Sequence, residues 1–150
     1  MAEPWPKNIM VPTYEKLVSL SKTELRVHAW ASALLEDMYL FIQNRKPEVL
    51  FQMPQFCFVR AALAEDEKKS HAFLIEEYID QSIEGPFMKY INNGIAKPLS
   101  EATRHSDNHH YCAEFLCFTQ HVQYAISGKS AYISDYQGML WYNHGESVGD

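Results

Sequence analysis

Two stretches of helical period and two of β type carry most of the apolar side chains. Val27, Trp30, Ala31, Leu34, Met38, Phe41 and Ile42 recur at i, i+3, i+4 spacing, which places them on one face of a helix of about twenty residues. Ser21-Lys22-Thr23-Glu24 has the form of a capping box at its start, and Asn44 and Pro47 mark its end. Upstream, Pro4, Pro6 and Pro12 punctuate a stretch without period. Residues 1–24 are expected to be irregular, with one helical turn near Tyr14–Leu20.

The runs Gln55–Ala61 and Ala72–Ile79 are rich in β-branched and aromatic residues and predict two strands. The charged stretch Ala64–Ser70 joins them, so the pair reads as an antiparallel hairpin with a longish, solvated loop. Gln81–Pro86 is expected to be an extended connector. Asn93-Gly94 is a turn signal, and Ser100–Asp107 is a polar stretch. A second long helix begins at Ser106 or Asp107, either an acceptable N-cap. Its apolar stripe is Cys112, Phe115, Leu116, Thr119 and Ile126, and Gly128 ends it as a C′ glycine. Ser130–Ser134 alternates as a short strand, and Asp135-Tyr136-Gln137-Gly138 follows it. The tail 139–150 has no period.

Composition narrows the class. The chain has 150 residues, 47% of them hydrophobic and 13% aromatic, enough for one domain with a real core and too apolar for disorder. Its net charge is −6, and Lys68-Lys69 is its largest basic block. Nucleic acid and anionic membrane are therefore not expected partners, since the positive surface they require is missing. Cys57, Cys112 and Cys117 are odd in number and lie in apolar runs, which predicts buried thiols in a reducing compartment. The first residues, MAEPWPKNIMVP, contain no apolar signal core, and no apolar run reaches a membrane span. A cytoplasmic protein is the expectation.

Several constellations invite chemistry. Asp135 and Gln137 offer a carboxylate and an amide oxygen, hard ligands suited to magnesium, with Gly138 free to turn the backbone away. An Asp at a strand end also serves as a plain turn or cap residue. His110, Glu114, Cys117 and His121 line one helix face and would suit zinc in neighbouring pairs. The outer two are about 16 Å apart on a 1.5 Å rise, so no single ion holds the whole row. Exposed His and buried Cys on an ordinary helix is the plainer reading. Nothing assembles for nucleophilic catalysis, since Cys57 sits mid-strand. Glu76 and Glu77 are adjacent on a strand and point to opposite faces, so either one faces inward and needs a partner or both are solvated at an edge. Neither phosphate-binding glycine signature, G-x-x-x-x-G-K-[ST] or G-x-G-x-x-G, is present.

Three segments together resemble the alpha-type, or atypical, protein serine/threonine kinase family. They are Phe73-Leu74-Ile75-Glu76-Glu77-Tyr78-Ile79-Asp80, Glu84-Gly85-Pro86-Phe87-Met88-Lys89-Tyr90-Ile91-Asn92-Asn93, and Thr119-Gln120-His121 through Asp135-Tyr136-Gln137-Gly138. The D-Y-Q-G, where D-L-Q-G is commoner, is similar to fungal members. The resemblance spans residues 25–138 as a partial domain, leaving 139–150 as a divergent tail.

The resemblance implies an α+β, protein-kinase-like two-lobed fold, truncated to the hairpin and helix of the small lobe and the first part of the large lobe. It implies phosphoryl transfer from ATP to Ser or Thr of a protein substrate. Glu76 would meet the adenine amino group, and the Ile79 backbone would meet the ring edge. Asp135 and Gln137 would face magnesium and the ATP phosphates, with Lys89 on the same side of the cleft. His121 matches the first ligand of a structural zinc site whose other ligands are not matched. No catalytic Asp is assigned, because the L-T-D-P-Q segment expected after D-x-Q-G has no counterpart in 139–150. The phosphate-binding lysine should lie on a strand before the first helix, where only Lys7, Lys16 and Lys22 stand. A catalytically inactive remnant that binds nucleotide or protein is the alternative reading, and a helix-borne metal site on His110, Cys117 and His121 a third.

Overall fold

The computed structural model describes residues 12–45 and 53–140. Its α+β elements fall into two compact units, one taking in Met1–Trp30 and Val59–Glu77, the other Ala31–Phe58 and Tyr78–Asp150. The expectations for Lys7 and for the tail from Trp141 onward lie outside the described residues. Among those residues, no helix is long and apolar enough to cross a membrane.

Helix α1 (Tyr14–Gln43) runs through both units. It starts a full two turns before Ser21, so the capping box is interior and the expected irregular segment is helical from Tyr14. The cap is Thr13, whose Oγ1 accepts from Lys16 N at 3.3 Å, just after Pro12. Once a helix is nucleated, each added residue gains a hydrogen bond. A second capping signal inside it therefore has no orphan donors to satisfy.

The predicted stripe holds only in the second half of α1. Leu35, Met38, Tyr39 and Ile42 are buried there, whereas Val27 and Trp30 are 59% and 78% exposed.

In the first unit, strands β1 (Ala61–Asp66) and β2 (His71–Glu76) form an antiparallel hairpin. The first strand thus lies later than predicted, and Gln55–Arg60 is irregular. The charged stretch is half strand, and the connection is the short turn 67–70, with Ser70 at φ 54°. Lys69 N donates to Asp66 O and Oδ1, both at 3.2 Å, closing that turn. Neither Glu76 nor Glu77 is buried, so of the two alternatives the solvated one holds and no carboxylate faces inward. Glu77 instead accepts from the Arg60 backbone N–H and its guanidinium, and these bonds hold its carboxyl below the usual range. The first half of α1 is tied to β1 and its lead-in. Tyr14 Oη donates to Glu65 at 3.1 Å, Lys22 pairs with Glu65 at 3.6 Å, and His28 Nε2 meets Val59 O at 2.7 Å.

The second unit is built on α4. Its elements are α2 (Gln81–Glu84), β3 (Met88–Lys89), β4 (Ile91–Asn92), β5 (Ile95–Pro98), α3 (Ser100–His105), α4 (Asp107–Ile126) and β6 (Gln137–Gly138). The expected connector after Ile79 is a short helix capped by Asp80, which accepts from Ser82 N at 3.0 Å and Ser82 Oγ at 2.7 Å. Asn93-Gly94 is the turn between β4 and β5, and the polar stretch that follows is α3. Helix α4 matches its prediction closely. Ser106 caps it by accepting from His109 N, and Gly128 takes φ 65° beyond its end, a conformation that needs no Cβ relief at glycine. Ser130–Ser134 is not a strand.

Two apolar clusters flank α4. Cys112, Ala113 and Leu116 pack with Met88, Tyr90, Ile91, Ala102 and Tyr136. Phe115 and Val122 pack with Leu35, Met38, Tyr39 and Ile42 of α1. Tyr39 Oη donates to Pro54 O and accepts from Phe56 N, each at 2.8 Å, pinning the irregular segment there. Burial pushes the Tyr39 phenol up to about 12. Of the thiols, Cys112 is buried and pushed up to about 11, whereas Cys57 is exposed, correcting the expectation for it.

His109 is a buried polar residue, 2% exposed, at the first turn of α4. Its Nδ1 lies 2.7 Å from Ser106 Oγ, its ring stacks on Tyr90, and its Nε2 has no partner. Burial, and then neighbouring His105, push its pKa down. The unfolded chain therefore binds this proton first as the pH falls below about 6.5. His109 contributes stability that is present above that pH and lost below it. Urea midpoints measured between pH 7.5 and 5 should fall, and His109→Asn should flatten the slope. Parallel slopes in the two proteins would assign the effect elsewhere.

Candidate nucleotide site

The site grows from the pairing of β3 with β6. Met88 lies opposite Gly138 and Lys89 opposite Gln137. The contact extends beyond the two pairs, because Tyr90 N and Ile91 N both donate to Tyr136 O, at 2.8 and 3.3 Å. Side chains alternate along such ribbons. Met88 and Tyr136 go into the core, while Lys89 and Gln137 turn outward together. Asp135 sits just before, at φ 60°, in the left-handed region that Asp tolerates better than most residues. That conformation aims its carboxylate at Lys89, and Asp135 Oδ1 and Lys89 Nζ form an ion pair. Oδ1 itself is buried and makes no regular hydrogen bond. Next to it, Ser134 Oγ donates to Asn93 Oδ1 at 3.3 Å.

What holds Asp135 in place is a set of polar side chains on the buried face of α4. Gln123, 0% exposed, grips the loop twice. Its Oε1 accepts from Ile133 N at 2.9 Å, and its Nε2 donates to Tyr136 Oη at 3.0 Å. Gln120 Nε2 donates to Ile133 O at 2.8 Å. Thr119 Oγ1 gives its proton to Leu116 O at 2.7 Å and lies 3.4 Å from Tyr136 Oη. Burial pushes the Tyr136 phenol up, against these hydrogen bonds. Asp135 is thus bracketed by residues that the helix fixes on either side.

The structure therefore brings Lys89, Asp135 and Gln137 together, within one unit. Glu76 and Ile79 fall on opposite sides of the division at Glu77–Tyr78: Glu76 is exposed at the end of β2, and Ile79 is half-buried. His121 is exposed on α4. Among the described residues, no three His, Cys, Asp or Glu side chains converge as a metal-holding group, so the zinc reading has no geometry behind it. Along the histidine row, His110 Nε2 instead pairs with Glu114 at 3.3 Å. Lys16 and Lys22 lie exposed on α1, not on a strand.

Sequence reasoning missed the clamp on α4. Its signal was present: Thr119, Gln120 and Gln123 continue the buried face of Cys112 and Leu116 at i+3, i+4 and i+7. Amides in an apolar stripe require partners. It also took G-x-S-x-G to be absent, although Gly145-Glu146-Ser147-Val148-Gly149 has that spacing. That motif acts from a strand–turn–helix elbow, and it lies outside the described residues.

Neither a curated protein nor a solved structure matches the chain. The alpha-kinase family model matches residues 7–147, nearly its whole length and more than the 25–138 of the sequence resemblance. The chain belongs to the alpha-kinase family.

Proposed function

We propose that this chain binds magnesium–ATP, and that its family chemistry is phosphoryl transfer to Ser or Thr of a protein substrate. The observation that carries the reading is the juxtaposition of Lys89, Asp135 and Gln137 by the β3–β6 pairing, in a chain of a kinase family. The donor set fits the group. A carboxylate and an amide oxygen are hard ligands for magnesium, and a lysine ammonium suits phosphate. Asp135 and Gln137 would hold the metal, which would neutralise phosphate charge. Lys89 now neutralises Asp135, and it is the cation available to the phosphates. Gln123 and Gln120 keep the loop from relaxing when charge is brought up to it.

Glu76 and the Ile79 backbone are assigned to adenine, and the two-lobed kinase core is part of the same reading. A second reading has its own observation. Among the described residues the carboxylate of the site, Asp135, is paired with Lys89 and assigned to the metal, so no residue is assigned as catalytic base. Binding without rapid turnover, as a nucleotide-binding or protein-interaction module, is that second reading.

Calorimetric titration with ATP, in magnesium and in EDTA, tests the proposal. Binding that requires magnesium supports it. No heat in either condition would falsify the nucleotide site. Radiolabelled phosphate transfer to a generic Ser/Thr protein separates the two readings.

A further inference from the structure

We propose that Lys89 is an exchangeable counter-ion of Asp135, one that keeps free divalent cations off the carboxylate and leaves it when a metal-bound phosphate takes the ammonium. The inference rests on the nucleotide reading above and adds a condition to it: metal and phosphate enter together, and each alone is rejected. The observation behind it is the ion pair that Lys89 Nζ makes with Asp135 Oδ1.

One partner of the pair is fixed and the other is mobile. Asp135 carries a short side chain on a backbone held at φ 60°. Its neighbours are fastened on both sides, because Gln123 binds Ile133 N and Tyr136 Oη, and Asn93 accepts from Ser134 Oγ. The backbone of Lys89 is held by its pairing with Gln137, but its ammonium stands on a flexible four-carbon stem. That side chain is 38% exposed, and exposed side chains change rotamer within nanoseconds. Exchange therefore means that Lys89 swings while Asp135 stays.

Charge decides what can enter. Together the two side chains are neutral, and they attract neither a free cation nor a free phosphate strongly. The oxygen that faces Lys89, Oδ1, is the buried one. A cation must therefore displace the ammonium from Oδ1, or bind the other oxygen with the ammonium still beside it. In the first case Lys89 loses its anion. In the second, a dication stands next to a unit positive charge, and at about 5 Å that repulsion weakens binding roughly tenfold even in water. Phosphate without metal meets the mirror problem, since taking the ammonium leaves it facing the bared carboxylate. A magnesium–phosphate complex meets neither. Asp135 exchanges an ammonium for the metal, Lys89 exchanges a carboxylate for phosphate, and no charge is left unpaired. Rejecting the wrong ligand by an unpaired charge is a general route to specificity.

Two variants of the full chain test the exchange, and each is expected to gain binding, which a misfolded protein does not do. The measurements are made at low ionic strength, where half-exposed charges are least screened. Manganese(II) without nucleotide, followed by loss of the free-ion signal in electron paramagnetic resonance, should bind Lys89→Met roughly tenfold more tightly than wild type. In EDTA, calorimetry should show ATP binding Asp135→Asn roughly tenfold more tightly than wild type, because the ammonium is no longer held by a carboxylate. Magnesium–ATP should still bind wild type more tightly than either variant. A wild type that does not bind magnesium–ATP removes the nucleotide site, and this inference with it. A wild type that binds it, with no gain for manganese in Lys89→Met or none for metal-free ATP in Asp135→Asn, overturns the exchange and leaves the nucleotide site standing.

Discussion

Asp135→Gly will abolish the magnesium dependence of ATP binding while leaving the fold about as stable as before. Two small effects on stability oppose each other. The substitution removes an ion pair whose side chains are 38% and 36% exposed, and such pairs contribute about 0–1 kcal/mol. It also places glycine at φ 60°, relieving a left-handed conformation that costs most L-residues about 1–2 kcal/mol and Asp somewhat less. The net change in urea stability should stay within about 1 kcal/mol. Binding has no such compensation, because the glycine offers no oxygen for the metal. Asp135→Asn separates charge from geometry: it keeps a residue tolerant of this backbone and one neutral oxygen. It should bind magnesium–ATP more weakly than wild type but better than the glycine variant. Calorimetry paired with urea denaturation reads both quantities. Undiminished magnesium-dependent binding in Asp135→Gly would remove Asp135 from the site.

Gln123→Met is expected to be the most destabilising single change near the site, by about 2–4 kcal/mol. Methionine matches the volume of glutamine, so little cavity forms. What is lost is polar satisfaction: Ile133 N loses its acceptor and Tyr136 Oη loses its donor. Both groups are enclosed by the core that packs on α4. Tyr136→Phe strands the other end of one bond, leaving Gln123 Nε2 unpaired. The double variant should therefore cost less than the sum of the singles, with a coupling of about 1–2 kcal/mol, as expected for residues in one hydrogen-bonded network. Strict additivity would mean that the two side chains do not act together. Because the same network brackets Asp135, the Gln123→Met protein, measured where it remains folded, should also bind magnesium–ATP more weakly.

These two predictions separate what the amino-acid order determines from what the fold adds. Helix α4 was legible almost residue by residue. Ser106, a long run of period 3.6 and Gly128 are local signals that act within a few residues, and nothing in the tertiary structure overrides them. The Asn93-Gly94 turn was legible for the same reason. The D-Y-Q-G and G-x-F-x-K-Y segments carried the family by their order alone.

The start of α1 was not legible. Thr13 and Ser21 are both good caps, and only the helix between them decides which is used. The hairpin was found but shifted, because Gln55–Ala61 and Ala61–Asp66 are similarly apolar. Cross-strand partners and the turn at 67–70 choose between them. One of Glu76 and Glu77 could have faced inward, because a strand of that composition normally has a covered face. In the structure one face of β2 carries exposed Phe73 and Ile75, and both carboxylates remain in solvent.

The site divides along the same line. The sequence, through its family resemblance, singled out Glu76, Ile79, Lys89, His121, Asp135 and Gln137. It could not determine that Lys89 lies across from Gln137 and pairs with Asp135, nearly fifty residues away, nor that α4 would hold them there with two glutamines and a threonine. Those are long-range contacts. They exist because Met88, Tyr90 and Tyr136 are buried against α4, and burial compels the outward neighbours of these residues to share one surface.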